Sequence, residues 1–379
     1  MRLFFLLSLI FTASTTAQTQ YEFIDSERLG NRAIKIQLPR NYQENSAQFY
    51  PLIVVLDGDY LFETIAGTTD YMAYWDDMPE TIVVGINQDS TRNEDLFLSD
   101  EDHFPIDSGA KFYEFLGAEL VPYMIEKYRV GRFKVVVGHG QTANFINFMS
   151  FVKKPLFQAY IAMSPTLSLF MSENLSKRLP EINSPLFYYM ATAAEDFKDN
   201  RKTILNLNQK LNAQEFKAIL YKFDDFEAQN HYSLVSSAIP SALEHVFGIY
   251  QPISRAEYKT KMLTLESSAV DYLSEKYDRI DKLFGIEKQI ILNDFRATAA
   301  ALNKNENFSY YKDLAKLARK HYPESLLSNF YLGRFYEGSG QRRKAIKAYQ
   351  EAFVYDEIDG ISKEDMLDNA ERLKAESEN

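Results

Sequence analysis

Short apolar runs alternate with longer segments of helical spacing through the first 250 residues of the chain. Five runs are continuously apolar, which is typical of strands covered on both faces. Two others alternate apolar and polar residues, as half-buried strands do, and the first of these predicts an edge strand. The predicted strands are residues 32–39, 50–56, 81–86, 135–137, 160–165, 185–191 and 216–223, and the predicted helices are residues 108–129, 200–211 and 234–247. This order predicts an α/β fold with a mostly parallel sheet and helices on both faces.

The pattern changes near Tyr250 to Ile253, beyond which helical spacing continues and β-branched runs almost disappear. Residues 325–358 carry small and large residues at the spacing of a tetratricopeptide helix pair, in which Gly and Ala let two helices approach closely. A displacement of 34 residues, the length of that repeat, indicates a degenerate earlier copy around Ala299, Ala318 and Pro323. An ordinary helical hairpin is the alternative. The sequence therefore predicts an α/β domain over residues 18–250 and an all-α, tetratricopeptide-like domain over residues 251–379.

The first 17 residues have the layout of a secretory signal peptide. Arg2 precedes an apolar run from Leu3 to Phe11, and small residues end the segment at Ala17. The apolar run is too short to span a bilayer. We therefore expect export to the periplasm or the medium, without a transmembrane anchor in the mature chain.

Composition narrows the partners of this chain of 379 residues. Its net charge of −11, from 53 acidic and 42 basic residues, argues against a nucleic-acid partner. There is no cysteine, which excludes disulfides and a thiol nucleophile. The five histidines have no metal-binding spacing, so we expect neither a metal nor another cofactor.

The turn after the predicted strand at residues 135–137 carries the motif of greatest chemical interest. The sequence Gly138-His139-Gly140-Gln141-Thr142 stands between that strand and an apolar, helix-like segment. A nucleophile elbow has the form Gly-x-Ser-x-Gly, in which a strained turn exposes the serine above the sheet. Here Gly138 is retained, Gly140 occupies the serine position and Thr142 occupies that of the second glycine.

In this order of motifs the chain resembles the α/β-hydrolase family that contains esterase D, enterochelin esterase and feruloyl esterase relatives. The resemblance covers about residues 30–250. It implies a catalytic histidine at His231, on the loop after the last predicted strand. It also implies an acid at Glu195 or Asp196, of which Glu195 fits the family spacing better. A solvent-facing acid at a helix start is an equal alternative for Glu195.

The resemblance also implies an oxyanion hole made of backbone amides, contributed by Gln141 and by Asp59 or Tyr60. No other hydroxyl is a good replacement for the absent serine. Thr142 lies too far along the turn, while Ser164 and Ser108 are better explained as cap or loop residues. His139 is the variable residue of the elbow, and in the family this side chain points away from the substrate.

Two functions from different classes follow. Without a side chain at Gly140 the covalent route is closed, which favours a non-catalytic binding or scaffold protein. Its cleft would take a small ester, acyl or sugar ligand, and its helical region would bind a protein partner. The alternative is a carboxylester hydrolase that acts through a non-standard nucleophile or through water activated by His231.

Overall fold

The computed structural model describes residues 19–43 and 47–376. The predicted signal peptide at residues 1–17 lies outside the described residues. The chain divides into two compact units. The first contains the residues up to Tyr71 with Glu80–Val130 and Lys134–Ala242, and the second contains Met72–Pro79, Gly131–Phe133 and the residues from Leu243 onward.

The first unit is built on one eight-stranded sheet with the order β1-β2-β4-β3-β5-β6-β7-β8. β1 and β2 are antiparallel, β2 pairs antiparallel with β4, and all remaining neighbours are parallel. The strands are β1 Thr19–Ser26, β2 Gly30–Gln37, β3 Tyr50–Val55, β4 Ile82–Ile86, β5 Val130–His139, β6 Ala159–Met163, β7 Leu186–Glu195 and β8 Ile219–Asn230. The mostly parallel α/β sheet predicted from the hydrophobic pattern is confirmed.

Helices connect these strands. They are α1 Phe62–Tyr74, α2 Arg92–Asp95, α3 Asp107–Phe115, α4 Val121–Lys127, α5 Gln141–Phe145, α6 Met171–Arg178, α7 Lys198–Asn212 and α8 Leu234–Phe247. A π-helical turn at Leu116–Leu120 joins α3 to α4, so that the predicted helix before β5 is nearly continuous. The central strands are apolar on both faces, and Val54, Val84 and Val136 are fully buried. Burial of each such side chain contributes roughly 1.5–3 kcal/mol, which explains the continuous apolar runs.

One detail of the predicted sheet is wrong. The alternating segment expected at the edge is β2, which lies between β1 and β4. The edge is β1, whose outer residues Tyr21 and Phe23 are exposed. An antiparallel hairpin at the end of a parallel sheet covers β2 without a crossover helix.

The second unit is helical. Its helices are α9 Arg255–Thr260, α10 Ala269–Phe284, α11 Leu292–Lys304, α12 Tyr311–His321, α13 Leu327–Gly338, α14 Arg342–Glu351 and α15 Lys363–Ala375. A side chain at Gly333 of α13 would begin 2.3 Å from the Tyr349 ring of α14, so glycine permits the close approach of these helices. The tetratricopeptide assignment itself stays a prediction. No helix among residues 19–43 and 47–376 is long and apolar enough to cross a membrane.

Candidate functional site

The turn at Gly140 joins the end of β5 to the start of α5. Gly140 has φ +61° and ψ −117°, a conformation in which ordinary side chains are strained. A β-carbon at Gly138 would lie 2.6 Å from the backbone of Thr142 and Ala143, which explains why this position is glycine. The chain therefore keeps the sharp strand-to-helix turn of a nucleophile elbow at a residue that has no nucleophile.

Thr142 replaces the second glycine of the elbow without opening the turn. Its hydroxyl is buried, donates to Oδ2 of Asp57 at 2.8 Å and accepts from the His139 amide at 2.9 Å. Asp57 follows β3 and is itself buried. The threonine thus ties the elbow to the loop after β3, and its hydroxyl is occupied by these contacts.

His231 lies between β8 and α8, as predicted, and its imidazole faces Gly140. A β-carbon built on Gly140 would lie 3.7 Å from Nε2 of His231 and 3.9 Å from the hydroxyl oxygen of Thr166. On the other side of the ring, Nδ1 donates to Oδ1 of Asp196 at 2.8 Å. A serine at position 140 would therefore stand next to the nitrogen that takes up its proton in a catalytic triad.

The carboxylate that is hydrogen-bonded to His231 belongs to Asp196. The preference for Glu195 as the acid is therefore wrong. Glu195 is exposed at the end of β7, whereas the Asp196 side chain is fully buried. The pairing of β7 with β8 shifts register after Ala193, so the alternation of side chains along β7 does not continue to this point. That irregularity brings the second of two adjacent acids onto the histidine.

Asp196 accepts more hydrogen bonds than the one from His231. Ser164 donates to its Oδ2 at 2.6 Å, Thr192 donates to the same oxygen at 2.8 Å, and the Phe197 amide donates to Oδ1 at 2.8 Å. Burial alone would raise the pKa of Asp196, but these hydrogen bonds and the one from His231 outweigh it and hold the pKa below its usual range. The carboxylate is therefore ionised and fixed in orientation.

Ser164 is more than the loop residue expected from the sequence. It is fully buried, has φ +44°, and its hydroxyl lies 2.6 Å from Asp196 and 2.9 Å from Nδ1 of His231. It faces the side of the imidazole away from Gly140. Ser164 can orient the acid but is not placed to attack a molecule at Gly140. Ser108 is a half-buried residue whose hydroxyl donates to the Glu94 carbonyl.

His139, the variable residue of the elbow, holds the loop that carries His231. Its Nε2 lies 2.9 Å from the His231 carbonyl oxygen, and its Nδ1 lies 3.1 Å from the Tyr60 hydroxyl. Burial, followed by the nearby His231, lowers the pKa of His139 to about 4. A neutral ring that donates from Nε2 and accepts at Nδ1 satisfies both contacts.

The three predicted oxyanion-hole residues do not occupy equivalent places. Gln141 and Tyr60 line the cleft at Gly140, whereas Asp59 is outside its lining. The Gln141 amide is at the first position of α5, where no intrahelical acceptor exists. The Tyr60 amide donates to the Asp57 carbonyl at 3.2 Å, so it closes a turn instead of facing a ligand.

The cleft has a volume of about 540 Å³. Its polar lining residues are Arg92, His139, Gln141, Thr166, Asn200 and His231, and its aromatic lining residues are Tyr60, Phe197 and Tyr232. The Phe197 ring stacks on His231 with ring centroids 4.3 Å apart. Arg92 donates to Asp57 at 2.7 Å and to the Gln141 side chain at 2.5 Å. Within the described residues, no group of His, Asp or Glu could hold a metal ion.

Comparisons with known proteins found a matching family model and similar solved structures. Residues 26–221 match the model of the family described as "Putative esterase". An uncharacterised protein from Capnocytophaga ochracea DSM 7271 is 33% identical, with a TM-score of 0.85 over 94% of this chain and 100% of that chain. No curated protein sequence matches the chain.

Two more distant structures share the fold. An IroE-like serine hydrolase from Shewanella oneidensis is 19% identical, with a TM-score of 0.59 over 80% of this chain and 99% of that chain. The BES protein from Bacillus cereus is 21% identical, with a TM-score of 0.54 over 61% of this chain and 97% of that chain.

Proposed function

This chain belongs to the Esterase family of α/β hydrolases, and we propose that it has lost ester hydrolysis and acts as a binding protein. The observation that carries the proposal is Gly140. This residue stands at the strained position of the elbow, opposite Nε2 of His231, and has no atom that can attack a carbonyl. Loss of one triad member leaves roughly 10³–10⁴-fold acceleration over water, far below the activity of an enzyme.

The other hydroxyls near the site are poor replacements. Thr142 is bonded to Asp57 and to the elbow backbone, and Ser164 lies on the Nδ1 side of His231. Thr166 is the nearest, with its oxygen 3.9 Å from where a Gly140 side chain would begin. It accepts from Asn200 at 3.0 Å, and this hydrogen bond restrains its hydroxyl group.

A second candidate function rests on the intact pair of His231 and Asp196. An imidazole oriented by a buried carboxylate can act as a general base on water or on Thr166. The protein would then be a slow carboxylester hydrolase with a non-standard nucleophile. Both functions take a small ester, acyl or sugar ligand in the same cleft, so turnover is what separates them.

Two further parts of the proposal concern the whole protein. We expect export through the segment at residues 1–17. We also expect the helical unit to bind a protein partner, because paired antiparallel helices such as α13 and α14 offer an extended surface for one.

Hydrolysis of p-nitrophenyl acetate and butyrate by the purified mature protein tests the loss of catalysis. We expect wild-type turnover to stay within about 10⁴-fold of the rate in water, and Gly140→Ser to exceed it by at least about 100-fold, because the new hydroxyl faces an oriented base. Adding His231→Asn to Gly140→Ser should abolish the gain. Wild-type turnover that His231→Asn removes would overturn the proposal, and its loss in Thr166→Val would identify the replacement nucleophile.

A further inference from the structure

We propose that the cleft binds the carboxylate of a small organic acid, placed against Gly140 between His231 and Thr166. The inference rests on the proposed function, because it requires the imidazole to face a ligand instead of a serine hydroxyl. It deepens that function by naming the chemical class of the ligand.

The space in front of the Gly140 α-carbon is bordered by polar atoms. The nearest atoms to a β-carbon built there are Nε2 and Cε1 of His231, at 3.7 and 3.8 Å, and Oγ1 of Thr166, at 3.9 Å. With no side chain at Gly140, a ligand oxygen in van der Waals contact with its α-carbon would have these polar atoms among its neighbours.

Two side chains that line the cleft can donate hydrogen bonds to a ligand. Thr166 accepts from Asn200, which leaves its own hydroxyl hydrogen to donate. Arg92 uses three of its five N–H groups on Asp57 and Gln141, and its guanidinium also interacts with Tyr60. His231 gives its Nδ1 hydrogen to Asp196 and presents Nε2 to the space in front of Gly140.

The lining of the cleft contains a cation and no carboxylate. The chain carries a net charge of −11, yet Arg92 lines the cleft and no Asp or Glu is among its described lining residues. The carboxylate of Asp57, which pairs with Arg92, is itself buried. A carboxylate would satisfy the donors with charge-assisted hydrogen bonds, whereas a neutral ester would not.

The walls of the cleft favour an organic anion over an inorganic one. Tyr60, Phe197 and Tyr232 line it, and their rings are about half exposed or more. A volume of about 540 Å³ lies within the usual range for small-molecule sites. These faces can cover an aromatic or aliphatic body, which phosphate and sulfate do not have.

Isothermal titration of the wild-type protein with benzoate and with methyl benzoate tests the inference. We expect benzoate to bind at least tenfold more tightly than methyl benzoate. His231→Asn should reduce benzoate affinity at least tenfold. The matched control is His103→Asn, which changes a histidine outside the cleft and should leave the affinity unchanged.

Equal affinity for acid and ester would overturn the inference, as would benzoate binding that is unaffected by His231→Asn. Stronger binding of sulfate than of benzoate would also contradict it. Chromatography of the methyl benzoate samples separates this result from the proposed function. Hydrolysed ester would contradict the loss of catalysis, whereas intact ester with no preference for benzoate would contradict only the ligand class.

Discussion

The two nitrogens of His231 face regions of very different composition. Around Nδ1, Asp196 accepts hydrogen bonds from Ser164, Thr192 and the Phe197 amide, all within 2.8 Å. Opposite Nε2 stands Gly140, and the nearest hydroxyl there is that of Thr166. The groups that orient the histidine are present, and residue 140 has no side-chain hydroxyl opposite Nε2.

This difference shows which half of such a site the fold itself needs. The network on Asp196 joins the ends of β6 and β7 to the loop of His231, so removing any member leaves buried polar groups unpaired. A serine at position 140 has no comparable structural task. Glycine there even relieves backbone strain of about 1–3 kcal/mol, because φ is +61°. The nucleophile can therefore be lost while the rest of the site persists.

The largest effect that would sharpen this comparison is expected from the acid. In the Gly140→Ser background, Asp196→Asn should remove the gain in kcat/KM for p-nitrophenyl acetate, a loss of about 100-fold or more, because the amide favours the wrong imidazole tautomer. Glu195→Gln is the matched control and should change the rate less than about twofold, since Glu195 is exposed. A large loss in Glu195→Gln with little loss in Asp196→Asn would contradict the assignment of the acid.

The next largest effect is expected on stability, at the two glycines of the elbow. A β-carbon at Gly138 would lie 2.6 Å from backbone atoms, whereas one at Gly140 has no neighbour nearer than 3.7 Å. Gly138→Ala should therefore lower the free energy of unfolding by about 3 kcal/mol or more, because the backbone cannot yield. Gly140→Ala should lower it by only about 1–2 kcal/mol of backbone strain.

Urea unfolding of both variants beside wild type measures this difference. Equal destabilisation would mean that the space beside Gly140 is as crowded as that beside Gly138. That result would also weaken the proposal that a ligand oxygen lies in front of Gly140.

Much of the fold follows from the sequence, because its strands are buried on both faces. The apolar runs predict both ends of β3 and β4 and the start of β7 to within one residue. The predicted helix at residues 234–247 has the same bounds as α8. β1 escaped detection because Tyr21 and Phe23 face outward, so its apolar residues do not mark a buried face.

The site was less predictable where it depends on pairing between distant strands. Motif order predicts Gly140, Gln141 and His231 in one site, and the three residues line one cleft. The choice between Glu195 and Asp196 depends on the register shift near the end of β7, which no local pattern encodes. Ser164 looked like a loop residue because its partners come from β7 and from the loop after β8.

The smallest effect concerns Ser164, which donates to the retained half of the site. Ser164→Ala removes a hydrogen bond that helps to hold the pKa of Asp196 down, so the free energy of unfolding at pH 7 should fall by about 1–2 kcal/mol. A carboxyl with a lowered folded-state pKa stabilises the protein above its unfolded pKa, about 3.9, and this stabilisation is lost as the pH falls through the folded value. The difference in the free energy of unfolding between wild type and Ser164→Ala should therefore become smaller as the pH falls from 5 to 3. Urea unfolding across this range measures this change, with Ser176→Ala, at a half-buried helical serine away from Asp196, as the control. A difference that stays constant down to pH 3 would mean that Ser164 stabilises the fold by packing alone, and that the two sides of His231 differ less than the hydrogen bonds imply.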